Sequence, residues 1–386
     1  MKSLLIYSYS AKNAGDMAIT VGALDHLTKI YKKCYSISRY SSKQENYKDS
    51  SKYLLERYSN LEMHPSPFHL DRTAGSINIL KDYFIGFLKI CFFSNSIFSK
   101  QIEDVDHVYF NGGNLLRCNS ISDLIRLFAL LSPLKISIKK NKKIIILPHS
   151  TAETNLIGRF LMRKVLDKVN VIYAREELSY NKFKIMYPKA NIKLNTDMAF
   201  FINSELYNSK KNIIAFTTRS QTMGDLGELD EVIKEKITKN LKLCVEFSLK
   251  MNYKIVFVVQ TKKDLEFTKK LYENYKSNSN VSFIENYDPV ELINFYSSCK
   301  LLIGMRLHSI ILALNSGTPV LGYFDTQWGL KNPGLLKVYN QKFSYVDNER
   351  EKPLIELLEN FNFENIDDLS LDIINTKNKY KNSLKL

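Results

Sequence analysis

Short apolar runs alternate with longer amphipathic stretches along most of this chain. The first run, LLIYSY from Leu4, reads as a buried strand of a parallel sheet. A turn-rich loop follows, Ser10-Ala11-Lys12-Asn13-Ala14-Gly15-Asp16, and then Met17, Val21, Leu24 and Leu27 recur at helical spacing. The strand His107–Phe110 runs into Asn111-Gly112-Gly113-Asn114-Leu115-Leu116. A helix is predicted over 122–138, interrupted or kinked at Pro133. The strand over 144–147 ends in Pro148-His149-Ser150. A helix over 156–168, the strand Val171–Ala174 and a strand IKLNT before Asp197 complete this half.

Residues 201–212, FINSELYNSKKN, are polar and lack a period, so they read as a linker. The alternation then restarts. Ile213–Thr217 is a strand leading to Thr218-Arg219-Ser220, and a long helix is predicted over 228–251. KIVFVV ends at Gln260, a helix runs on to Tyr275, and VSFI is a strand. Asp288-Pro289-Val290-Glu291 opens a helix, with Asp288 as cap and Pro289 in the first turn. The run LLIG leads into Gly304-Met305-Arg306-Leu307-His308-Ser309, then a helix-like HSIILALN, Gly317-Thr318-Pro319 and the strand VLGYF. Residues 354–386 begin helical and are expected to fray into a Lys/Asn-rich tail or to pack back. This alternation predicts an α/β fold of two doubly wound, Rossmann-like domains, 1–204 and 205–386, facing across a cleft in the manner of GT-B enzymes.

Two stretches resist the pattern. Residues 40–76 are polar, broken by Pro65, Pro67 and Gly75, and read as solvated loop; His64 and His69 are not spaced as a helical metal pair. Residues 77–98, INILKDYFIGFLKICFFSNSIF, are dense in aromatic residues. A helix this apolar is either buried or touches a membrane surface.

Composition narrows the class. The chain has 386 residues, with 45% hydrophobic and 25% charged content, which suits two globular domains. Its net charge of +15 favours anionic partners, although lysine, asparagine and isoleucine are abundant throughout. The lysines are spread over both halves, against the interleaved basic patch of a nucleic-acid binder. The five cysteines are scattered with no CxxC pair, which argues against disulfides and structural zinc and fits a reducing cytoplasm. The opening KSLLIYSYS is too short for a signal peptide.

Ligands of open α/β sheets bind at the carboxyl ends of strands. The polar residues there include Asn13, Asp16, Asn114, His149, Arg175, Asp197, Arg219, Gln260, Arg306 and His308. Arg306 and His308 at a helix start describe an anion pocket with a proton donor, or an ordinary connection with two polar residues. Asp16 reads as a helix cap, a ligand contact or both. Gly112 and Gly113 allow either a tight turn or close backbone approach to a ligand. Arg175 at a helix start is unfavourable beside the positive dipole, so it implies an anion or a buried partner. Arginines with few carboxylates suit a small, multiply anionic substrate. No metal site is read here.

Several of these residues stand in a recognisable order. Gly15-Asp16 with Ala18-Ile19, Gly112-Gly113-Asn114-Leu115-Leu116, Arg175-Glu176-Glu177-Leu178-Ser179, Asp197-Met198-Ala199-Phe200 and Gly304-Met305-Arg306-Leu307-His308 with Gly317-Thr318-Pro319-Val320 span about 1–330. In these runs the chain resembles the polysaccharide pyruvyl transferase family. It departs from that pattern in carrying two glycines, flanked by Asn111 and Asn114, where three are common, and Pro148-His149-Ser150 where a glycine turn is common.

The resemblance implies transfer of a pyruvyl group from phosphoenolpyruvate, a co-substrate, to two hydroxyls of a sugar, forming a cyclic ketal with no cofactor. It implies His308, Arg306 and Asp16 as catalytic residues. Asn13, Gly15, Gly113, Asn114, Arg175, Asp197, Arg219 and Ser309 are then expected to bind substrate. Arg306, with Arg175 or Arg219, would clamp the carboxylate and phosphate, and His308 would protonate the methylene carbon. Asp16 or Asp197 would orient or deprotonate the acceptor, or both would serve as helix caps or cleft-lining acceptors. That acceptor would be a saccharide unit of a surface polymer, free or lipid-linked, in the cytoplasm or at the inner face of the membrane. The rival reading is a GT-B glycosyltransferase using a nucleotide sugar. Against it, the GMRLHSII helix start lacks the carboxylate a ribose would want.

Overall fold

The computed structural model describes all residues except 69–80, 83, 87, 90, 91, 93–97, 99, 152, 153, 204–209, 223–226, 348–351, 385 and 386. The chain divides into two compact units. The first comprises Met1–Ala11, Ile19–Ile202 and Ser383–Leu386, and the second Lys12–Ala18 and Asn203–Asn382.

The first unit is built on seven strands: β1 (Lys2–Ser8), β2 (Lys33–Ser38), β3 (Leu61–His64), β4 (His107–Phe110), β5 (Lys143–His149), β6 (Val171–Ala174) and β7 (Ile192–Leu194). They lie in the order β3-β2-β1-β4-β5-β6-β7, all parallel. Its helices are α1 (Ala14–Ile30), whose first turn belongs to the second unit, α2 (Glu45–Arg57), α3 (Ile121–Lys139), α4 (Leu156–Leu166) and α5 (Glu177–Met186). The second unit repeats the plan. Its strands β8 (Ile213–Thr217), β9 (Lys254–Val259), β10 (Val281–Glu285), β11 (Leu301–Gly304), β12 (Val320–Phe324) and β13 (Phe343–Tyr345) run in the parallel order β10-β9-β8-β11-β12-β13. Helices α6 (Glu231–Lys250), α7 (Leu265–Glu273), α8 (Pro289–Ser297), α9 (Leu307–Asn315), α10 (Lys331–Val338), α11 (Leu354–Glu359) and α12 (Ile366–Ser383) accompany them, the last residue of α12 lying in the first unit. The strands are nearly continuous apolar runs because helices cover both faces of each sheet. In each unit the strand order reverses once, between β1 and β4 and between β8 and β11. That reversal is where such sheets open a binding crevice.

The structure departs from the sequence expectations at several places. Residues 40–64 are not all loop: α2 and β3 lie there, and His64 stacks on Tyr35 with ring centroids 6.0 Å apart. His69 falls outside the described residues, as does most of 77–98. Of the expected linker 201–212, residues 204–209 are undescribed, while Phe201 and Ile202 are buried. Helix Ile366–Ser383 carries the described part of the Lys/Asn-rich tail, with Ile366, Ile373 and Lys377 buried on one face.

Pro133 does not interrupt α3. Proline has no N–H for the carbonyl four residues back, here that of Ala129. The Tyr7 hydroxyl supplies the missing bond, donating to the Ala129 carbonyl at 2.9 Å. Tyr7 sits at an irregularity in the β1–β2 register with φ of 71°. Tyr7→Phe is therefore expected to cost about 1–3 kcal/mol, because it orphans a buried carbonyl. Adding Pro133→Ala should restore most of that loss by returning the N–H. Chemical denaturation of the two variants checks this.

Helix α12 steadies α9 from behind. The Lys377 ammonium donates to the Asn315 carbonyl at 2.7 Å and to its side-chain oxygen at 3.2 Å, at the end of α9. Burial pushes the Lys377 ammonium down to about 8, with Lys381 adding to the shift. Between that pH and the ordinary lysine value the unfolded chain holds a proton that the folded chain has released. Stability from this group therefore rises with pH across that window. Wild type should gain on Lys377→Met by on the order of 1–2 kcal/mol from neutral pH toward the ordinary lysine range. Thermal melts of both proteins across that range test the sign.

Candidate functional site

In the first unit, the loop after β4 lies at the strand-order reversal. Asn111 is buried; its amide donates to the Tyr7 carbonyl and the Thr20 hydroxyl, and its oxygen accepts the Gly112 N–H. Gly113 has φ of 111°, and a Cβ there would meet the Tyr9 hydroxyl at 2.4 Å. Glycine is required on both counts. Asn114 beyond it is exposed. His149 Nε2 accepts the N–H groups of Leu115 and Leu116 at 2.8 and 3.2 Å. An accepting Nε2 carries no proton, so His149 is a neutral scaffold for this loop while both bonds hold.

Arg175 follows β6. Its Nε donates to Ser150 Oγ and its Nη1 to Asp197 Oδ2, each at 2.5 Å, and Glu176 lies 3.5 Å away. Of the two alternatives for a helix-start arginine, this is the buried partner. Two carboxylates compensate its charge, so it organises the strand ends more than it attracts anions. Asp197 is also the cap of the short 3-10 turn Met198–Phe201, accepting the Ala199 N–H at 2.9 Å.

The second unit holds the stretch Gly304–His308. Sharp exit from β11 makes Arg306 the residue that caps α9 by its extended backbone, φ −102° and ψ 134°. Its guanidinium is buried and forks onto Asp264: Nε to Oδ2 and Nη2 to Oδ1, both 2.7 Å. Asp264 sits in the turn between β9 and α7 and also accepts the Ser220 N–H at 3.2 Å. This bidentate pair fixes the plane of the guanidinium. Ser309 is buried; its hydroxyl donates to the Arg306 carbonyl and lies 2.9 Å from that of Thr217 at the end of β8. Arg219, just after β8, donates to the carbonyls of Gln221 and Thr222 and lies over the Trp328 ring at 4.6 Å.

The loop Lys12–Ala18 belongs to this unit. Asn13 bridges Thr261 in the manner of an antiparallel strand, and the Ala14 N–H donates to the Gln260 carbonyl at 3.2 Å. Gly15 abuts His308: a Cβ on Gly15 would meet His308 Nδ1 at 2.6 Å, Cγ at 2.8 Å and Cβ at 2.9 Å. The cap of α1 is Asn13, whose side chain accepts the Gly15 N–H at 3.0 Å. The cap reading of Asp16 is thus corrected. Asp16 stands half-buried within the first turn, one residue from the glycine that touches His308.

The structure therefore gathers Asn13, Gly15, Asp16, Arg219, Arg306, His308 and Ser309 in the second unit. It gathers Gly113, Asn114, Arg175 and Asp197 in the first. Asp264 was missed from sequence; the signal available was that a buried arginine demands a carboxylate. Among the described residues no group of three or more His, Cys, Asp or Glu side chains is placed to hold a metal ion.

The family model for polysaccharide pyruvyl transferase matches residues 13–324. No curated protein matches the chain. Among solved structures, the chain is similar to Glycyrrhiza uralensis UGT73P12 complexed with glycyrrhetinic acid 3-O-monoglucuronide, at 8% identity and TM-score 0.59, over 99% of this chain and 91% of that one. It is similar to a glycosyltransferase from Rickettsia africae ESF-5, at 13% identity and TM-score 0.55, over 100% and 94%. It is also similar to UDP-GlcNAc 2-epimerase from Methanocaldococcus jannaschii, at 13% identity and TM-score 0.53, over 94% of each. At such identities the likeness carries fold alone, that of two Rossmann-like units of GT-B type.

Proposed function

The chain belongs to the polysaccharide pyruvyl transferase family, and from that premise we propose that it moves the pyruvyl group of phosphoenolpyruvate onto two hydroxyls of a sugar. The observation that carries the assignment of roles is the contact of His308 with Gly15, which sets the proton donor beside the loop bearing Asn13 and Asp16.

In this reading Arg306 and Arg219 bind the carboxylate and phosphate. Asp264 holds the fork of Arg306 in one plane, so Arg306 supplies fixed geometry, and Arg219 adds a second guanidinium. His308, as imidazolium, gives its proton to the methylene carbon of the enol. The central carbon becomes an oxocarbenium-like electrophile. One sugar hydroxyl adds and loses its proton, the carbon–oxygen bond to phosphate breaks, and the second hydroxyl closes the ring with loss of its proton. Asp16 receives the first hydroxyl proton and passes it to the departing phosphate oxygen, and neutral His308 takes the second and is restored as imidazolium. The products are a cyclic ketal and inorganic phosphate. The acceptor is a saccharide unit of a surface polymer or its lipid-linked precursor.

The test incubates the purified protein with phosphoenolpyruvate and a panel of aryl glycosides, following phosphate release and acceptor mass. Release coupled to a pyruvylated acceptor supports the proposal. Transfer from nucleotide sugars, with no pyruvylated product from any acceptor, would replace it with the glycosyltransferase reading.

A further inference from the structure

The starts of α3 and α4 lie side by side in the first unit. The Asn155 N–H donates to the Cys118 carbonyl at 2.8 Å, and a Cβ on Gly158 would meet Cys118 Sγ at 2.8 Å. Helices of a globular unit turn their large apolar residues inward. Here Ile121 and Leu156 are each 79% exposed, Ile157 60% and Phe160 57%. Leu156, Ile157 and Phe160 share one face of α4, and Ile121 stands on the neighbouring start. Arg159, Arg163 and Lys164 on the same helix are exposed; Arg163 Nε pairs with Asp167 Oδ2 at 3.4 Å, and the Lys164 ammonium lies 4.2 Å from the centroid of the Phe160 ring. A clustered set of large apolar side chains marks an interaction site, whereas isolated ones do not.

Elsewhere in the same unit Phe84, Ile85, Leu88 and Phe92 are also exposed, as are Lys81 and Lys89.

Charge decides the occupant. A two-fold contact between copies would set Arg159, Arg163 and Lys164 against the same residues of the other copy. The chain already carries +15, so self-association through this face is repelled. An anionic bilayer surface satisfies both chemistries: apolar tips enter the acyl boundary while lysine and arginine meet lipid phosphates. Among the described residues no helix is long and apolar enough to cross a membrane. We infer that Ile121, Leu156, Ile157 and Phe160, together with Arg159, Arg163 and Lys164, dock the first unit peripherally on an anionic lipid surface. This inference does not rest on the pyruvyl chemistry.

The experiment is co-sedimentation of the full chain with vesicles of phosphatidylcholine alone or with a third of it replaced by phosphatidylglycerol. The chain should pellet with the anionic vesicles only. Leu156→Ser with Phe160→Ser, which removes the apolar insertion, and separately Arg159→Glu with Lys164→Glu, which reverses two basic contacts, should each weaken partition at least about tenfold. All four side chains are exposed, so both variants should melt as wild type does. Three results would overturn the inference: no binding to anionic vesicles, binding that neither pair weakens, or a dimer in sedimentation velocity that Leu156→Ser with Phe160→Ser dissolves.

Discussion

Gly15→Ala is expected to lower kcat/KM on the order of 100-fold while changing stability by no more than about 1–3 kcal/mol. The two effects separate because they have different origins. Gly15 lies in the first turn of α1 without a positive φ, so alanine suits its backbone and gains about 1 kcal/mol in helix propensity. The added methyl, however, falls within 2.9 Å of His308 Cβ as well as its ring. Rotating the imidazole cannot clear a clash at its own Cβ, so the start of α9 or the loop Lys12–Ala18 must shift. Overpacking of this kind offsets the propensity gain. A shift near 1 Å at the proposed proton donor is costly to rate and cheap to folding. Steady-state kinetics beside thermal melts check the split, and His308→Ala should lose activity with no such packing change.

Removing the carboxylate under Arg306 should have the opposite balance. Asp264→Ala leaves a buried guanidinium uncompensated and is expected to cost about 3–5 kcal/mol. It also releases the plane of the fork, so activity should fall with stability. Replacing both partners, Asp264→Leu with Arg306→Met, should recover most of the stability, because an apolar pair of similar volume replaces a buried ion pair at little net cost. Activity should stay lost. Denaturant titration and kinetics of the single and double variants measure both sides of this cycle. If the double variant recovered activity as well, Arg306 would have no part in binding the anion.

The alternation of strand and helix, and hence two Rossmann-like units, is legible in the sequence because each buried parallel strand is an almost unbroken apolar run. Arg306 and His308 are legible for the same reason: they follow such a run directly. Asp264 is not, because it reaches Arg306 across β8 from the turn after β9, a pairing set by strand order. Helix α2 escapes notice because only Ser50 and Leu54 of its residues are buried, too few for a period to show. β3 is a short edge strand with only Leu61 fully buried. The continuity of α3 through Pro133 depends on Tyr7, more than a hundred residues away, and no local pattern could announce it. Asn13 takes the cap that Asp16 resembled because α1 starts at Ala14, and chain ends of helices are the least determined by periodicity.

The central claim is that His308 delivers a proton to the methylene carbon of phosphoenolpyruvate during transfer to a sugar. The most direct measurement runs the reaction in deuterium oxide with an aryl glycoside acceptor and reads the ketal methyl by mass and NMR. The account predicts one deuterium in that methyl group, released phosphate in equal amount, and loss of both signals in His308→Ala. A ketal formed at an undiminished rate by His308→Ala would contradict it.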